Sequence, residues 1–303
     1  MKNKFKSESA ASVNLPAPQF IKMKKIGLED IRRANVRQIF ALIEEGVKTS
    51  RFDLAQDTGL SLMTVGKIID IFEKNGAVVL ETSDMTKVGR KAKYIMPDKR
   101  RCELVIEREG GSVSVSLYDI ALNRLGSLQG SADALDGLLL EALGMLGSGK
   151  LIGIGATGFE SDSEITATAE NFGVSVSLLT TPTIAGAYSA VLSSMAEGVQ
   201  LMYVDTDSMQ AICFDGREAA ASVNGVLRRI PYNGSKAYAA AAAAVFAAPS
   251  VLFVAGDRAE FAGEVETELA RLGVRDITVR SAASDAARGA AYLVRDAFIT
   301  ECK

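Results

Sequence analysis

Between residues 28 and 45, Ile31, Val36, Ile39, Phe40, Leu42 and Ile43 recur at helical spacing, interleaved with Arg32, Arg33 and Arg37. The pattern predicts an amphipathic helix ending near Gly46. Ser50 reads as the N-cap of a short helix over 51–57, closed by Thr58-Gly59, and Ser61 as the N-cap of a longer helix to about residue 74. A four-residue turn is expected between them. Phe52, Leu54, Ala55, Leu60, Val65, Ile68, Ile69 and Phe72 fall where they can close a small core. Asn75-Gly76 then turns the chain into a strand over 77–81, a polar tip over 82–87 and a return strand near 93–96. These elements predict a winged helix-turn-helix over 21–100, behind a polar arm at 1–20 that holds Pro16 and Pro18.

From residue 101 the pattern changes to strands over 102–107, 112–119 and 123–128, then a helix over 131–146, a strand over 151–156, a helix over 163–172, a strand over 174–179 and a helix over 184–195. A similar order returns. Strands are expected at 201–205, 211–214 and 219–224, a helix at 235–248, a strand at 251–255, a helix at 260–272, a strand at 276–280 and a helix at 284–300. The chain from 101 to 303 therefore reads as a doubled α/β unit with lobes at 101–198 and 199–303.

Composition narrows the chemistry. The 303 residues are 48% apolar and 23% charged, which excludes a mainly disordered chain and suits about two domains. There is no His, so imidazole general bases and His-bearing zinc sites are excluded. Cys102, Cys213 and Cys302 lack Cys-x-x-Cys spacing and form an odd set, so no disulfide framework is expected and a reducing cytoplasm fits. No stretch has the length of a signal peptide or a membrane span; the Ala-rich run over 237–248 reads as a core helix.

The net charge of −3 hides an asymmetry. Residues 1–101 carry 20 Lys and Arg against 12 Asp and Glu, and residues 102–303 carry 14 against 25. A basic part joined to an acidic one suits a polyanionic partner for the first, although an unevenly charged solvated surface gives the same arithmetic. With the helix-turn-helix pattern, the partner expected is double-stranded DNA, bound by a homodimer. Leu62, Met63, Thr64 and Lys67 are then the side chains that meet base edges, and Ser50, Arg51 and Ser61 complete the helical part of the DNA-binding set. In the wing, Lys87, Arg90, Lys91 and Lys93 around Gly89 suit phosphates or the minor groove; alternatively they defend an exposed strand edge.

Four segments, Asn35-Val-Arg37-Gln-Ile-Phe, Ser50-Arg-Phe-Asp-Leu-Ala, Thr58-Gly-Leu-Ser61-Leu-Met-Thr64-Val and Val88-Gly89-Arg90-Lys91, resemble the winged helix-turn-helix of the repressor branch of the ROK family. The resemblance covers residues 31–98. It departs at Val88 and Ala92, where that wing usually has Gly and Pro, and at Gly66, where the recognition helix usually carries a larger polar residue. Further on, Gly153-Ile-Gly155-Ala-Thr-Gly158, residues 180–191, Val254-Ala-Gly256-Asp257 and Ala287-Arg-Gly-Ala-Ala-Tyr-Leu293 resemble the ROK sugar-kinase fold of the actin-like ATPase superfamily. The resemblance implies a reduced, duplicated α/β domain of that type.

The departures imply that this domain is inactive. The phosphate-binding turns of the family are rich in glycine, whereas here they read Glu107-Arg-Glu109-Gly-Gly111 and Asp205-Thr-Asp207-Ser-Met209. Its Asn-Asp general base corresponds to Thr181-Pro182, and its His motifs are missing along with a segment between Asn224 and Ala237. Several residues keep two readings. Gly153, Gly155 and Gly158 either end a strand or cradle phosphate, Asp205, Asp207 and Asp215 are turn carboxylates or a Mg²⁺ cluster, and Arg228-Arg229 is a solvated loop pair or an anion site. The expectation is a cytoplasmic, sequence-specific transcriptional regulator, acting as a repressor. Its kinase-like domain is expected to mediate dimerisation and to sense a sugar-like effector, with no catalytic residue, cofactor or metal. The alternative is a sugar-kinase remnant that still binds sugar or nucleotide.

Overall fold

The computed structural model describes residues 27–46, 49–82, 93–159, 167, 170, 171, 177–194, 200–215, 228–256, 258, 260–282 and 285–302. The chain opens with α1 (Leu28–Glu45), α2 (Arg51–Thr58) and α3 (Leu62–Asn75), followed by the antiparallel hairpin of β1 (Val78–Thr82) and β2 (Lys93–Pro97). Periodicity explains the packing: Val36, Ile39, Phe40 and Ile43 bury one stripe of α1, and Val65, Ile68, Ile69 and Phe72 one stripe of α3. The rings of Phe40 and Phe72 meet edge to face at 5.6 Å. Because α2 runs through Thr58, three residues separate it from α3 rather than four. Gly59 makes that corner with φ of +68°.

Among the described residues the rest of the chain builds two five-stranded mixed sheets. The first comprises β3 (Arg101–Glu109), β4 (Ser112–Asp119), β5 (Arg124–Ser131), β6 (Lys150–Thr157) and β7 (Ser177–Thr180), in the order β5-β4-β3-β6-β7. The second comprises β8 (Gln200–Asp205), β9 (Gln210–Asp215), β10 (Arg228–Arg229), β11 (Val251–Ala255) and β12 (Thr278–Ser281), in the order β10-β9-β8-β11-β12. Each sheet runs from an antiparallel meander into two parallel strands, so the duplication legible in element order extends to topology.

Helices α4 (Leu135–Gly144), α5 (Pro182–Ser194), α6 (Lys236–Ala247), α7 (Phe261–Arg271) and α8 (Ala286–Glu301) complete the layers. Leu104, Ile106, Val115 and Ile154 face Leu139 and Ala142 of α4, whereas Val105 and Tyr118 face Ala287, Ala290 and Ala291 of α8. On the second sheet Met202, Val204 and Leu252 face α6 and α7, while Tyr203, Ile212 and Phe253 face α5. Helices α5 and α8 therefore lie between the sheets. They cross closely, since a Cβ at Gly289 would collide with the backbone carbonyl of Ala185.

Some expectations are corrected or fall elsewhere. Arg228 and Arg229 are not a loop pair: they form β10, paired with Gln210 and Ala211, and supply the third meander strand expected at 219–224. That earlier span lies outside the described residues, as does most of 163–172, of which 167, 170 and 171 are helical. Within the described residues no helix is long and apolar enough to cross a membrane.

Candidate nucleic-acid interface

Capping fixes where α2 and α3 begin. Ser50 Oγ accepts from the Asp53 N–H at 3.3 Å, and the Asp53 carboxylate accepts from the Ser50 N–H and hydroxyl at 2.9 and 2.7 Å. These bonds from Ser50 hold the Asp53 carboxyl below its usual range. Ser61 Oγ accepts from the Thr64 N–H at 3.1 Å and shares a hydroxyl contact of 2.9 Å with Thr64 Oγ1. The cap thus turns Thr64 toward Ser61.

The outer face of α3 carries what remains. Leu62 and Met63 are 56% and 72% exposed, large values for apolar side chains, and Lys67 and Asp70 are exposed beside them. Lys67 forms no ion pair with the described residues. Phe52 on α2 is also exposed. Arg51 Nη2 donates to Asp70 Oδ1 at 2.6 Å, a contact the sequence reading missed because the residues lie on different helices 19 positions apart. Lys93 is exposed at the start of β2, opposite Thr82, while Lys87, Arg90 and Lys91 lie outside the described residues.

Helix α8 ties this basic part to the sheets. Arg37 donates to both oxygens of Asp296, at 2.6 and 2.7 Å, and Arg32 donates to the Thr300 carbonyl at 2.8 Å. Arg295 pairs with Glu44, donates to the Ile120 carbonyl at 3.1 Å, and lies over the rings of Phe40 and Tyr292. Below it, Glu103 is fully buried, and among the described residues neither its carboxyl oxygens nor Arg295 Nε has a hydrogen-bond partner. Burial pushes the carboxyls of Glu103 and Glu44 upward.

The α/β part uses its polar groups internally. Asp205 accepts from Thr183 Oγ1 at 2.6 Å, from Ser208 Oγ at 2.7 Å and from the N–H of Asp207 at 3.0 Å. Lys236 donates to the Thr206 carbonyl at 2.8 Å. Gly155 makes room for Val294 and Ala290 of α8, and Gly158, at φ of +78°, passes against the Arg108 carbonyl, so both answer to packing. Among the described residues no three His, Cys, Asp or Glu side chains gather as a metal site.

No protein-family model and no curated protein matches the chain. Among solved structures, a ROK family transcriptional regulator, a homolog of the E. coli MLC protein, matches with a TM-score of 0.60 at 13% identity, over 89% of this chain and 97% of that one. A ROK family glucokinase from Streptomyces griseus in complex with glucose and AMPPNP gives 0.45 at 12%, over 64% and 99%. A ROK family protein from Streptococcus pneumoniae TIGR4 in complex with sucrose gives 0.43 at 12%, over 66% and 98%. The likeness to the regulator, at 13% identity, is one of fold: a mixed α/β protein built on two five-stranded sheets.

Proposed function

We propose that the protein is a sequence-specific DNA-binding transcriptional regulator of ROK type, acting as a homodimeric repressor, in which α2, α3 and the β1–β2 hairpin are a winged helix-turn-helix. The observation that carries this reading is the outer face of α3: Leu62, Met63 and Lys67 stand exposed on a helix whose opposite stripe is buried, in the basic third of the chain. In this reading α3 lies in the major groove, Lys67 donates to guanine O6 or N7, and Leu62 and Met63 touch thymine methyls. Ser50 and Ser61 fix the helix starts, and Lys87, Arg90, Lys91 and Lys93 neutralise phosphates. The fold of the ROK regulator, which matches over 89% of this chain, supports the same reading.

In the proposal the α/β part is not catalytic. Asp205 is already bonded to Thr183 and Ser208, and the chain has Thr181-Pro182 at the start of α5, where a general base would be needed. In this reading the α/β part holds the dimer and responds to a sugar-like effector. Selection of bound duplexes from a random library tests the reading, with enriched palindromes expected. Lys67→Ala should then cost about 1–3 kcal/mol on the selected duplex and relax one or two base positions. No enrichment over input would overturn the assignment. Sugar-dependent ATP hydrolysis above a no-protein control would instead favour the kinase.

A further inference from the structure

The exposed face of α3 has a gap in its middle. Gly66 stands four residues after Leu62 and four before Asp70, so the three share one helical row. An added Cβ at Gly66 would find one atom within reach, Arg51 Nη1 at 3.7 Å, which belongs to the first residue of α2. The Arg51 side chain crosses over the bare backbone at Gly66, and its Nη2 ends on Asp70.

Stability is a poor reason for this pair. Its side chains are 39% and 63% exposed, and exposed ion pairs are worth about 0–1 kcal/mol. Asp70 is also an anion on a face that must approach phosphates, so it works against affinity. We propose that Arg51 is a specificity-determining residue lent to α3: from α2, through the space at Gly66, it supplies the guanidinium that the middle of the DNA-facing surface lacks, and Asp70 is the residue that positions it. The proposal rests on the DNA-binding reading above. One Nη of Arg51 is committed to Asp70, which leaves other donors of a rigid planar fork to meet a base edge with paired acceptors, such as guanine N7 and O6. A guanidinium held in this way cannot swing freely to the nearest phosphate. Asp70 therefore sacrifices general affinity for discrimination.

The full-length chain and the variants Asp70→Asn, Arg51→Ala, Gly66→Gln and Arg51→Ala/Asp70→Asn are titrated against the selected duplex and a scrambled one at several salt concentrations. Asp70→Asn should bind the scrambled duplex more tightly while its discrimination between the two falls roughly tenfold. Arg51→Ala should show a similar fall, and the double variant one no larger than Arg51→Ala alone. Gly66→Gln should reproduce the loss with both charges present, because its side chain takes the space that Arg51 crosses. Equal tightening of Asp70→Asn on both duplexes, or losses that add in the double variant, would overturn the positioning role while leaving DNA binding intact. A wild-type chain that fails to discriminate at all would overturn both.

Discussion

Glu103 is a residue whose ionisation the fold constrains strongly. It lies on β3 beneath α8, where Arg295 is the facing cation; the bonds of Arg295 to Glu44 of α1 and the Ile120 carbonyl both come from Nη1, and its Nε has no hydrogen-bond partner among the described residues. Asp119 at the end of β4 adds a further negative charge, and Asp296 is neutralised by Arg37. Burial is the largest influence on Glu103 and outweighs the lowering effect of Arg295, so its carboxyl is pushed well upward and the protonated form is favoured. A carboxyl whose pKa is raised by folding contributes stability at low pH that is lost as pH rises above the ordinary carboxylate range. Glu103→Gln, which copies the neutral acid, is therefore expected to flatten the fall in Tm on the alkaline side. Calorimetry from about pH 5 to 9 checks this, and parallel curves for the two proteins would refute it.

Cysteine chemistry at the residue scale follows the same logic. Burial, with Glu103 next in importance, pushes the Cys102 thiol up to about 11, and burial does the same for Cys302. Both stay protonated near neutrality and are shielded, whereas Cys213 is exposed. A maleimide added to the native protein should label Cys213 first, as peptide mass mapping would report.

Among the elements, two helical glycines make opposite demands. At Gly289 a methyl group would strike the Ala185 carbonyl where α5 and α8 cross, so Gly289→Ala should destabilise by about 1–3 kcal/mol. At Gly66 the one neighbour lies at ordinary van der Waals distance, so Gly66→Ala should raise stability by up to ~1 kcal/mol through helix propensity. Urea unfolding of the two variants compares the signs directly. Helix starts were readable where a capping signal stood in the sequence: Ser50 and Ser61 cap the helices that follow them. Strand β10 was not readable, because two arginines have no strand pattern of their own; pairing with Gln210 and Ala211 places them in the sheet. The candidate site divides in the same way. Exposure of Leu62, Met63 and Lys67 follows from helical periodicity, but the Arg51–Asp70 contact and the burial of Glu103 need the third dimension.

For the molecule as a whole, α8 is the shared part. It packs against α5 and the first sheet, sends Leu293 toward the second, and bonds α1 through Asp296, Arg295 and Thr300. Loss of one partner from a buried pair costs about 3–5 kcal/mol, so Arg37→Ala should loosen α1 from the sheets more than it perturbs either sheet. Hydrogen exchange is expected to rise first in residues 28–45, with β3 and β8 still protected. Uniform loss of protection would mean that the parts unfold together.

The Arg37–Asp296 contact also sets an order in time. It spans 259 residues, and α8 follows in sequence both the helices of the basic part and the strands of the two sheets. During synthesis, α1 to α3 leave the ribosome long before their clamp has been made, so the basic part waits with the polar edge of α1 unpaired while nearly all of the α/β part is translated. Attachment of α1 to α3 to the rest of the molecule is therefore deferred until α8 has emerged.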